Sequence, residues 1–473
     1  MKTVSGEVER MQKLVLCLAL VCFSEIAVAQ NETRFQSDLR REGVALKACG
    51  QISKIADCGQ TLVLGQPLHI AVGSLAPGNG FGAGLALVEH KNFANEWRTN
   101  FNFDVVATKN SSWRAGGYMK AYKLSGGTQF HSAPLYYLYS QSISLNRVDY
   151  FGLGPSTTTA THTTFGFSEN VTGVQAVLPI SLHDKPPEFA IVAELNGRFP
   201  SVRPGVESDI PSINSLFSEG TAPGLSRQPV FVQPSAGLRL VPALFKDRVR
   251  LNYLVEFQQF VAAGDSAYSF RRFSGDFSHE IPLSTLSKTI GKYYENNQSP
   301  VFPHNGPDYC GGAGREEQAM PCPKASLTRK LEGSIGLRAL LSESFAGKGS
   351  NVPFYFLPTL GGSDIDGSSM LASYPDYRFR GPVLLLFRGI FEHSLGTLPI
   401  GALFSADGGK IGLRRDDISL DHFRHSFGAG LTVRAGGLPV ISFLYAWGGS
   451  EGSHTITNVA PSLLGSSARP SLF

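Results

Sequence analysis

The chain has 473 residues, a formal net charge of +4, 17% charged and 11% aromatic residues, 52 glycines and 28 prolines. Few charges with many glycines and prolines are typical of numerous strands joined by tight turns rather than of a helical protein. The small positive charge is spread along the chain without a Lys/Arg block, so the sequence does not indicate nucleic-acid binding.

The first 29 residues are predicted to form a cleavable signal peptide. Basic residues precede an apolar run from Leu14 to Phe23, and the small residues Ala27, Val28 and Ala29 follow. An N-terminal membrane anchor is the alternative, but this run is shorter than the roughly 20 residues that a membrane-spanning helix needs. We therefore expect cleavage before Gln30, and with it export from the cytoplasm.

Four cysteines remain after the signal peptide, in two local pairs, Cys49/Cys58 and Cys310/Cys322. In an oxidising compartment, such pairs predict disulfides that close loops. Zinc ligation is the alternative, but neither pair has CxxC spacing or nearby histidines. The sequence predicts no metal site and no other cofactor.

Two segments are expected after the signal peptide. Residues 30–73 are polar, with a short helix predicted around 37–47, and are interpreted as a leader or plug segment. Residues 74–473 show apolar/polar alternation, as in 100–108, where Phe103 and Val105 alternate with Asn102 and Asp104. A period of two predicts strands with one apolar and one polar face.

Packed soluble sheets could also alternate in this way, but three features favour a membrane barrel. The segments are about ten residues or longer, as a tilted strand needs to cross a bilayer. Their polar faces suit a wet lumen, and aromatic residues such as Trp97, Trp113 and Trp447 lie near strand ends. We therefore predict an all-β fold, a transmembrane antiparallel β-barrel of about 16 strands.

Seventeen segments are candidates for these strands, one more than the even number expected. They lie near residues 80–90, 97–108, 112–124, 133–148, 160–169, 171–183, 187–199, 235–245, 247–261, 267–283, 327–343, 352–360, 383–394, 399–407, 425–435, 438–448 and 454–464. The long connections 201–227, 293–324 and 361–381 are expected on the outer side, where barrels carry their longer loops. The last of these mixes glycines with Tyr and Arg side chains and is predicted to fold back into the lumen.

Four motifs resemble the BamA/TamA superfamily of outer-membrane assembly barrels, the bacterial surface antigen type. The turn Asp149–Ser156 resembles its aromatic-Gly-x-Gly-Pro turn, and residues 360–381 resemble its sixth extracellular loop. Residues 403–410 and 426–431 resemble two of the strands that follow that loop. The motif residues are Gly152, Gly154, Pro155, Gly361, Gly362 and Gly409.

The resemblance implies a contact between the loop and the barrel wall, with one departure. The family tip reads Leu/Val-Arg-Gly-Phe/Tyr, and its Arg pairs with an inward Asp. Here the tip reads Leu371-Ala372-Ser373-Tyr374, so Arg378 or Arg380 is expected to supply the cation for Asp407. The alternative is that Asp407 faces lumenal water.

The resemblance further implies a bacterial outer-membrane protein that inserts or exports other outer-membrane proteins and is not an enzyme. Its expected partners are outer-membrane lipid and client outer-membrane proteins. No POTRA domains are predicted ahead of the barrel, which weakens the case for insertase activity, so a passive pore or structural barrel is the alternative. A glycine-rich first strand (78–84) and Pro461 in the last strand predict a seam that opens laterally, unless Pro461 only ends that strand.

One further motif, Gly448-Gly449-Ser450-Glu451-Gly452, matches the GxSxG nucleophile pattern. That mechanism needs a strand-to-helix elbow, whereas here no helix is predicted to follow. The sequence therefore predicts a hairpin turn rather than a catalytic Ser450.

Overall fold

The structure is a computed structural model, and it divides the chain into two units, residues 1–67 and 68–473. The structure describes residues 34–47, 50, 62, 67–93, 97–123, 134–180, 189–207, 209–244, 249–283, 287–289, 293–294, 324–325, 328–330, 333–363, 369–396, 398–417, 419, 421, 423–435 and 438–459. The signal peptide, the cysteines Cys49, Cys58, Cys310 and Cys322, and Pro461 lie outside these residues, so their assignments stay predictions.

The first unit includes the helix α1 (Arg34–Lys47). It covers the predicted helix and begins three residues before it. No helix in the described part of the chain is both long and apolar enough to cross a membrane.

The described residues of the second unit form a barrel of sixteen strands. They are β1 (Leu68–Ser74), β2 (Phe81–Phe93), β3 (Trp97–Thr108), β4 (Trp113–Lys123), β5 (Leu135–Tyr150), β6 (Thr163–Ile180), β7 (Phe189–Pro204), β8 (Val230–Leu240), β9 (Val249–Ala263), β10 (Phe270–Pro282), β11 (Gly333–Ala346), β12 (Val383–Ser394), β13 (Ile400–Gly412), β14 (Arg424–Ala435), β15 (Leu438–Gly449) and β16 (Gly452–Val459). Each strand pairs antiparallel with the next along the chain, and the two-residue strand Ala243–Leu244 adds to the edge of β9. The prediction of an all-β barrel of sixteen strands is confirmed.

Three of the predicted strands were nevertheless placed wrongly. Residues 160–169 and 171–183 belong to one continuous strand, β6. Residues 352–360 form a 3₁₀ turn and a two-residue strand rather than a wall strand. The short strand β1 was not predicted, because its first six residues fell within the segment interpreted as a leader. The prediction of a glycine-rich first strand at 78–84 was wrong, since these residues lie in the turn before β2 and at the start of β2. The merger and the loss of 352–360 reduce the seventeen candidate segments to fifteen, and β1 brings the total to the sixteen that were predicted.

The two faces of the wall have opposite character, as the alternation predicted. On β3 the side chains of Asn102 and Asp104 are 5% and 1% exposed, whereas Phe103 and Val105 are 41% and 58% exposed. Polar side chains therefore point into the barrel and apolar ones point out. An outward apolar band over a polar interior is the arrangement of a barrel that lies in lipid.

The antiparallel order places alternate connections at opposite ends of the barrel. The connections 151–162, 205–229, 264–269 and 347–382 lie at one end, here called the loop rim. The start of β1, the end of β16, the end of β10 and the start of β11 lie at the other end, the terminal rim. The long segment 293–324 was expected on the same side as 201–227 and 361–381. Most of it lies outside the described residues, but the strands that flank it end at Pro282 and begin at Gly333 on the terminal rim, opposite to that expectation.

Aromatic side chains fill the lumen at the loop rim. The 3₁₀ turn Phe354–Phe356 is fully buried and packs against inward side chains of several strands. Ring centroids of Phe356 and Phe231 are 5.1 Å apart, and those of Phe354 and Tyr150 are also 5.1 Å apart. The lumenal core near the loop rim is therefore apolar, and it supports the segment that follows the turn.

The inserted loop as candidate functional site

The connection 347–382 is here called the inserted loop, and its described residues, 347–363 and 369–382, fold into the lumen as two paired arms. Its two arms pair as Thr359–Leu360 with Phe379–Arg380. Gly361 and Gly362 then turn the chain with φ of 114° and 59°, in the left-handed region that favours glycine. A Cβ on Gly361 would lie 2.6 Å from the carbonyl oxygen of Pro375. The two motif glycines are required because the arms approach too closely for any side chain.

The loop tip, residues 369–374, is held by a row of inward side chains on three adjacent strands. The row consists of Arg388 on β12, Asp407 on β13 and Ser426 on β14, which are directly opposite one another in the strand register. It is here called the anchoring row, and its contacts alternate along the tip.

Each member of the anchoring row binds one residue of the tip, and the three bound residues, Ser369, Leu371 and Ser373, alternate along the chain. Arg388 donates to the carbonyl and hydroxyl oxygens of Ser369. The Leu371 N–H donates to Oδ2 of Asp407 at 3.1 Å, and the Ser373 N–H donates to Oγ of Ser426 at 2.9 Å. The wall therefore binds the tip largely through backbone groups of the tip. Leu371 adopts φ 55°, an uncommon value for a non-glycine residue.

The cation beside Asp407 comes from the wall and not from the loop. Nε of Arg388 lies 3.4 Å from Oδ1 of Asp407, and the Asp407 side chain is 1% exposed. The expectation that Arg378 or Arg380 supplies this cation was wrong, because both arginines are directed to other partners. Since an isolated buried carboxylate is costly, Arg388 and the tip N–H group together stabilise Asp407.

Arg378 joins the inserted loop to the hairpin that connects β15 and β16. Its Nε and Nη2 lie 2.6 and 2.7 Å from the two carboxylate oxygens of Glu451. The same guanidinium donates to Oγ1 and the carbonyl oxygen of Thr157, at 2.7 and 2.6 Å. Phe151 and Phe379 cover its faces, with distances from Cζ to the ring centroids of 4.9 and 4.6 Å. A bidentate, largely buried pair of this kind is strong and directional.

The glycine-proline turn docks on the same loop. The Gly154 N–H donates to the carbonyl oxygen of Arg380 at 2.7 Å, and the carbonyl oxygen of Pro155 accepts from Nη2 of Arg424 at 2.7 Å. Gly152 and Gly154 have φ of 106° and 93°. Two motifs more than 200 residues apart in the chain thus form one contact, which the sequence did not indicate.

Glycines in the wall make room for the loop. A Cβ on Gly409 would lie 3.0 Å from Cδ1 of Leu360, and one on Gly449 would lie 2.8 Å from the ring of Tyr374. Tyr374 is 4% exposed and lies against β15. Gly409 and Tyr374 therefore belong to the packing between the loop and the barrel wall.

Arg380 is buried beneath the aromatic turn. Its Nη1 donates to the carbonyl oxygen of Phe354 at 2.9 Å, and the guanidinium lies 5.9 Å from the ring centroid of Tyr150. Burial lowers the pKa of Arg380 to about 10. Through its bond to Phe354, Arg380 holds the 3₁₀ turn within the lumen.

A second loop covers the inserted loop at the loop rim. The carboxylate of Glu219 accepts hydrogen bonds from the Ser226 N–H at 2.8 Å and from the Tyr268 hydroxyl at 2.7 Å. Desolvation opposes ionisation of Glu219, but the bonds from Ser226, Gly224 and Tyr268 prevail and lower its pKa. Burial and the neighbouring Glu219 raise the pKa of Tyr268 to about 12. The Phe354 N–H donates to the carbonyl oxygen of Pro223 at 2.8 Å, which ties this cover to the inserted loop.

Sequence analysis missed five residues that hold the loop: Thr157, Arg388, Arg424, Ser426 and Glu451. Glu451 lies in the GxSxG match, which is the hairpin between β15 and β16, with Gly449 opposite Gly452. Arg388 and Ser426 could have been found by aligning β12, β13 and β14 around Asp407. That alignment needs the strand register, which a single sequence does not provide.

The first and last strands of the wall approach each other, and a few of their Cα atoms lie within 8 Å. Within the described residues, no hydrogen-bonded ladder joins β1 to β16. The barrel is thus nearly closed, and the gap between β1 and β16, here called the seam, has no regular ladder among the described residues. The seam is bordered by the hairpin that Arg378 holds.

No protein-family model matches this chain, and no curated protein matches its sequence. Solved structures do match. BamA from Haemophilus ducreyi lacking POTRA domains 1-3 has a TM-score of 0.45 and 11% identity, covering 83% of this chain and 69% of that one. CdiB from Acinetobacter baumannii has a TM-score of 0.43 and 10% identity, with coverages of 82% and 57%. CdiB from Escherichia coli has a TM-score of 0.46 and 12% identity, with coverages of 83% and 61%, so this chain spans less than two thirds of either CdiB chain.

Proposed function

We propose that this chain is an outer-membrane barrel of the BamA/TamA type that takes part in the insertion or export of other outer-membrane proteins. The observation that carries the proposal is the seam between β1 and β16, two neighbouring edge strands without a ladder between them in the described residues. An edge strand offers backbone N–H and C=O groups to an incoming strand. A client strand could therefore pair there.

The side chains of β1 pack weakly against its neighbour β2. Strand β1 has seven residues, and opposite Ala71 and Gly73 on β2 stand Gly84 and Gly82. Glycines in a strand contribute no side-chain packing between neighbours. A short strand that contributes little packing is suited to exchange partners at the seam.

The inserted loop gives the proposal its second support. Through Arg378 and Glu451 it holds the hairpin that borders the seam, and through Asp407 it is fixed to the wall. A loop that contacts both the lumen wall and the last hairpin can couple the state of the lumen to the state of the seam.

A passive pore is the competing function, and the aromatic packing argues against it. Phe354, Tyr355 and Phe356 are 0–2% exposed within the lumen at the loop rim. An open pore needs a water-filled path there. Planar-bilayer recordings of the purified chain should accordingly show little steady conductance.

The test is to lock the seam. Cysteine pairs between the outward positions Ile70 and Val72 on β1 and Thr455 and Thr457 on β16 are screened for one that cross-links on oxidation in cells, and that pair is used as the lock. We expect the levels of other outer-membrane barrels to fall on oxidation and to recover on reduction. The matched control is Leu85→Cys with Val105→Cys, which are directly opposite on β2 and β3 and do not cross the seam.

Depletion of the chain gives the decisive negative result. If the levels of other outer-membrane barrels and of exported proteins stay unchanged after depletion, the proposed function is wrong. The barrel would then be a structural component of the membrane.

A further inference from the structure

The outer wall carries an unusual polar surface on β5 and β6. Six Ser, Thr and Asn residues stand opposite one another in three successive outward rows, here called the polar ladder. The rows are Ser140 with Thr172, Ser142 with Asn170, and Ser144 with Ser168. Oγ of Ser140 and Oγ1 of Thr172 are 2.8 Å apart, and Ser142 donates to Asn170.

The outward direction of the ladder follows from its neighbours. The alternate residues Gln141 and Val171 are 3% and 1% exposed and point into the barrel. Leu138 and Val174, which share the face of the ladder, are 45% and 50% exposed. The ladder therefore lies on the face that meets lipid elsewhere on the wall.

The ladder begins at a sharp boundary that is the same on both strands. Leu138 is opposite Val174, and the next outward row towards the loop rim is Ser140 with Thr172. Because unpaired polar groups in hydrocarbon are costly, this boundary marks the edge of the apolar bilayer core. The polar ladder then lies at the depth of lipid headgroups.

Arg203 provides a cation at the loop-rim end of the ladder. Its side chain crosses β6 over Gly166, where a Cβ would lie 3.3 Å from Nε of Arg203. Its Nη2 then reaches Oγ of Ser144 on β5 at 2.9 Å and the carbonyl oxygen of Leu145 at 3.1 Å. The hydrogen bonds of Arg203 to described residues all use Nη2, and the side chain is exposed. Nε and Nη1 are therefore left for an anionic group.

Small residues on the neighbouring strand β4 leave the side of the ladder open, and the aromatic rings of Phe103 and Phe199 lie on either side of it. Ala115 and Gly117 on β4 stand opposite Ser142 and Ser140. The ring of Phe103 lies over Gly117, with 3.1 Å to the nearest ideal Cβ position. Phe199 on β7, opposite Asn170, is 38% exposed on the other side. Hydroxyl groups between aromatic rings, with a cation at one end, suit a ligand that combines sugar hydroxyls with phosphate.

We propose that the polar ladder and Arg203 bind the headgroup of a phosphorylated glycolipid in the leaflet at the loop rim. The ladder extends about 13 Å along the strands, because residues 140 and 144 are four steps of about 3.3 Å apart. At a strand tilt of roughly 40° this length corresponds to about 10 Å along the membrane normal. An ordinary phospholipid headgroup layer is roughly 5–8 Å thick, so a larger, sugar-bearing headgroup fits better. The inference rests on the outer-membrane location in the proposed function and adds a lipid partner to it.

The test measures lipid binding by the purified full chain in detergent, using native mass spectrometry. The probes are lipopolysaccharide that carries phosphorylated core sugars and, for comparison, phosphatidylglycerol. We expect lipopolysaccharide to bind more tightly, and Arg203→Ala to weaken its binding about tenfold, as for loss of one charge-assisted bond. Asn170→Ala should weaken binding in the same direction without removing a charge.

The matched control is Arg271→Ala. Arg271 is an exposed outward arginine on β10 that donates to Gln259, away from the ladder. Equal lipopolysaccharide binding by wild type and Arg203→Ala, or equal binding of the two lipids by wild type, would overturn the proposal. Because the assay requires folded protein but no assembly activity, its failure is distinct from a failure of the seam experiment.

Discussion

The carboxylate of Glu451 and the guanidinium of Arg378 face each other in two parallel hydrogen bonds, of 2.6 and 2.7 Å. One residue belongs to the inserted loop and the other to the hairpin between β15 and β16. The side chains are 2% exposed for Arg378 and 18% for Glu451. The pair therefore connects a loop in the lumen to the strands beside the seam, and water screens it little.

Glu451→Ala should destabilise the folded barrel markedly, because it leaves Arg378 buried without its carboxylate. Removing one partner of a buried pair costs about 3–5 kcal/mol in other proteins. The measurement is the urea midpoint of the heat-modifiable folded band in detergent. Glu343→Ala is the control, since its partner Arg415 is 78% exposed and should be worth less than about 1 kcal/mol. Equal effects of the two substitutions would show that the Arg378 pair is not a buried anchor.

The anchoring row predicts a local effect of Asp407→Ala. The Leu371 N–H would lose its acceptor, and Arg388 would lose the carboxylate beside it. Hydrogen exchange of the peptide covering residues 369–374 should accelerate by at least tenfold, while exchange in β3 and β4 stays the same.

Asp417→Ala is the control for that experiment. Asp417 also accepts backbone N–H groups, from Leu413 and Arg414, but it lies in an exposed turn. Unaltered exchange of the tip in Asp407→Ala would mean that the wall does not hold the tip through Asp407.

Alternation predicted the wall because one strand face meets lipid and the other meets a polar lumen. The same pattern failed at residues 352–360, where Phe354, Tyr355 and Phe356 are apolar for a different reason. These side chains fill the lumen beneath the covering loop rather than facing lipid. A single sequence cannot distinguish lipid-facing from lumen-filling apolar residues, since both avoid water.

The motif residues were found, but most of their contacts were not. Gly361 and Gly362 are needed for a turn, and such a need is visible in a sequence as a glycine pair. The partners of Asp407 were hidden, because they are an arginine on the neighbouring strand and a backbone N–H of the tip. Neither depends on a recognisable side chain in the tip, which explains how Leu371–Tyr374 can lack the family's Arg and Gly and still dock.

Gly361→Ala should lower the free energy of unfolding by more than the backbone strain at Gly361 alone would, because the added Cβ also overlaps other atoms. Its Cβ would meet the Pro375 carbonyl oxygen at 2.6 Å, and φ is 114°. Gly264→Ala is the matched control, because φ there is 78° and no atom lies within 4 Å of the added Cβ. We expect a loss of about 1–2 kcal/mol for Gly264→Ala from strain and a larger loss for Gly361→Ala from strain plus overlap. Urea unfolding measures both, and equal losses would show that the arms of the loop separate at little cost.

The bond between Glu219 and Tyr268 should make the covering loop sensitive to pH at both extremes. The pKa of Glu219 is lowered in the folded state, so its contribution is present above the ordinary value of 4.5 and is lost as pH falls through the folded value. The pKa of Tyr268 is raised, so its contribution is present below the ordinary value of 10.0 and is lost as pH rises through about 12. Proteolysis within residues 205–229 should therefore be slowest between about pH 5 and 10.

Glu219→Gln should remove the acidic limb of this profile and Tyr268→Phe the alkaline limb, because each substitution eliminates one titrating group. A profile that keeps both limbs in these variants would assign the pH dependence to other groups.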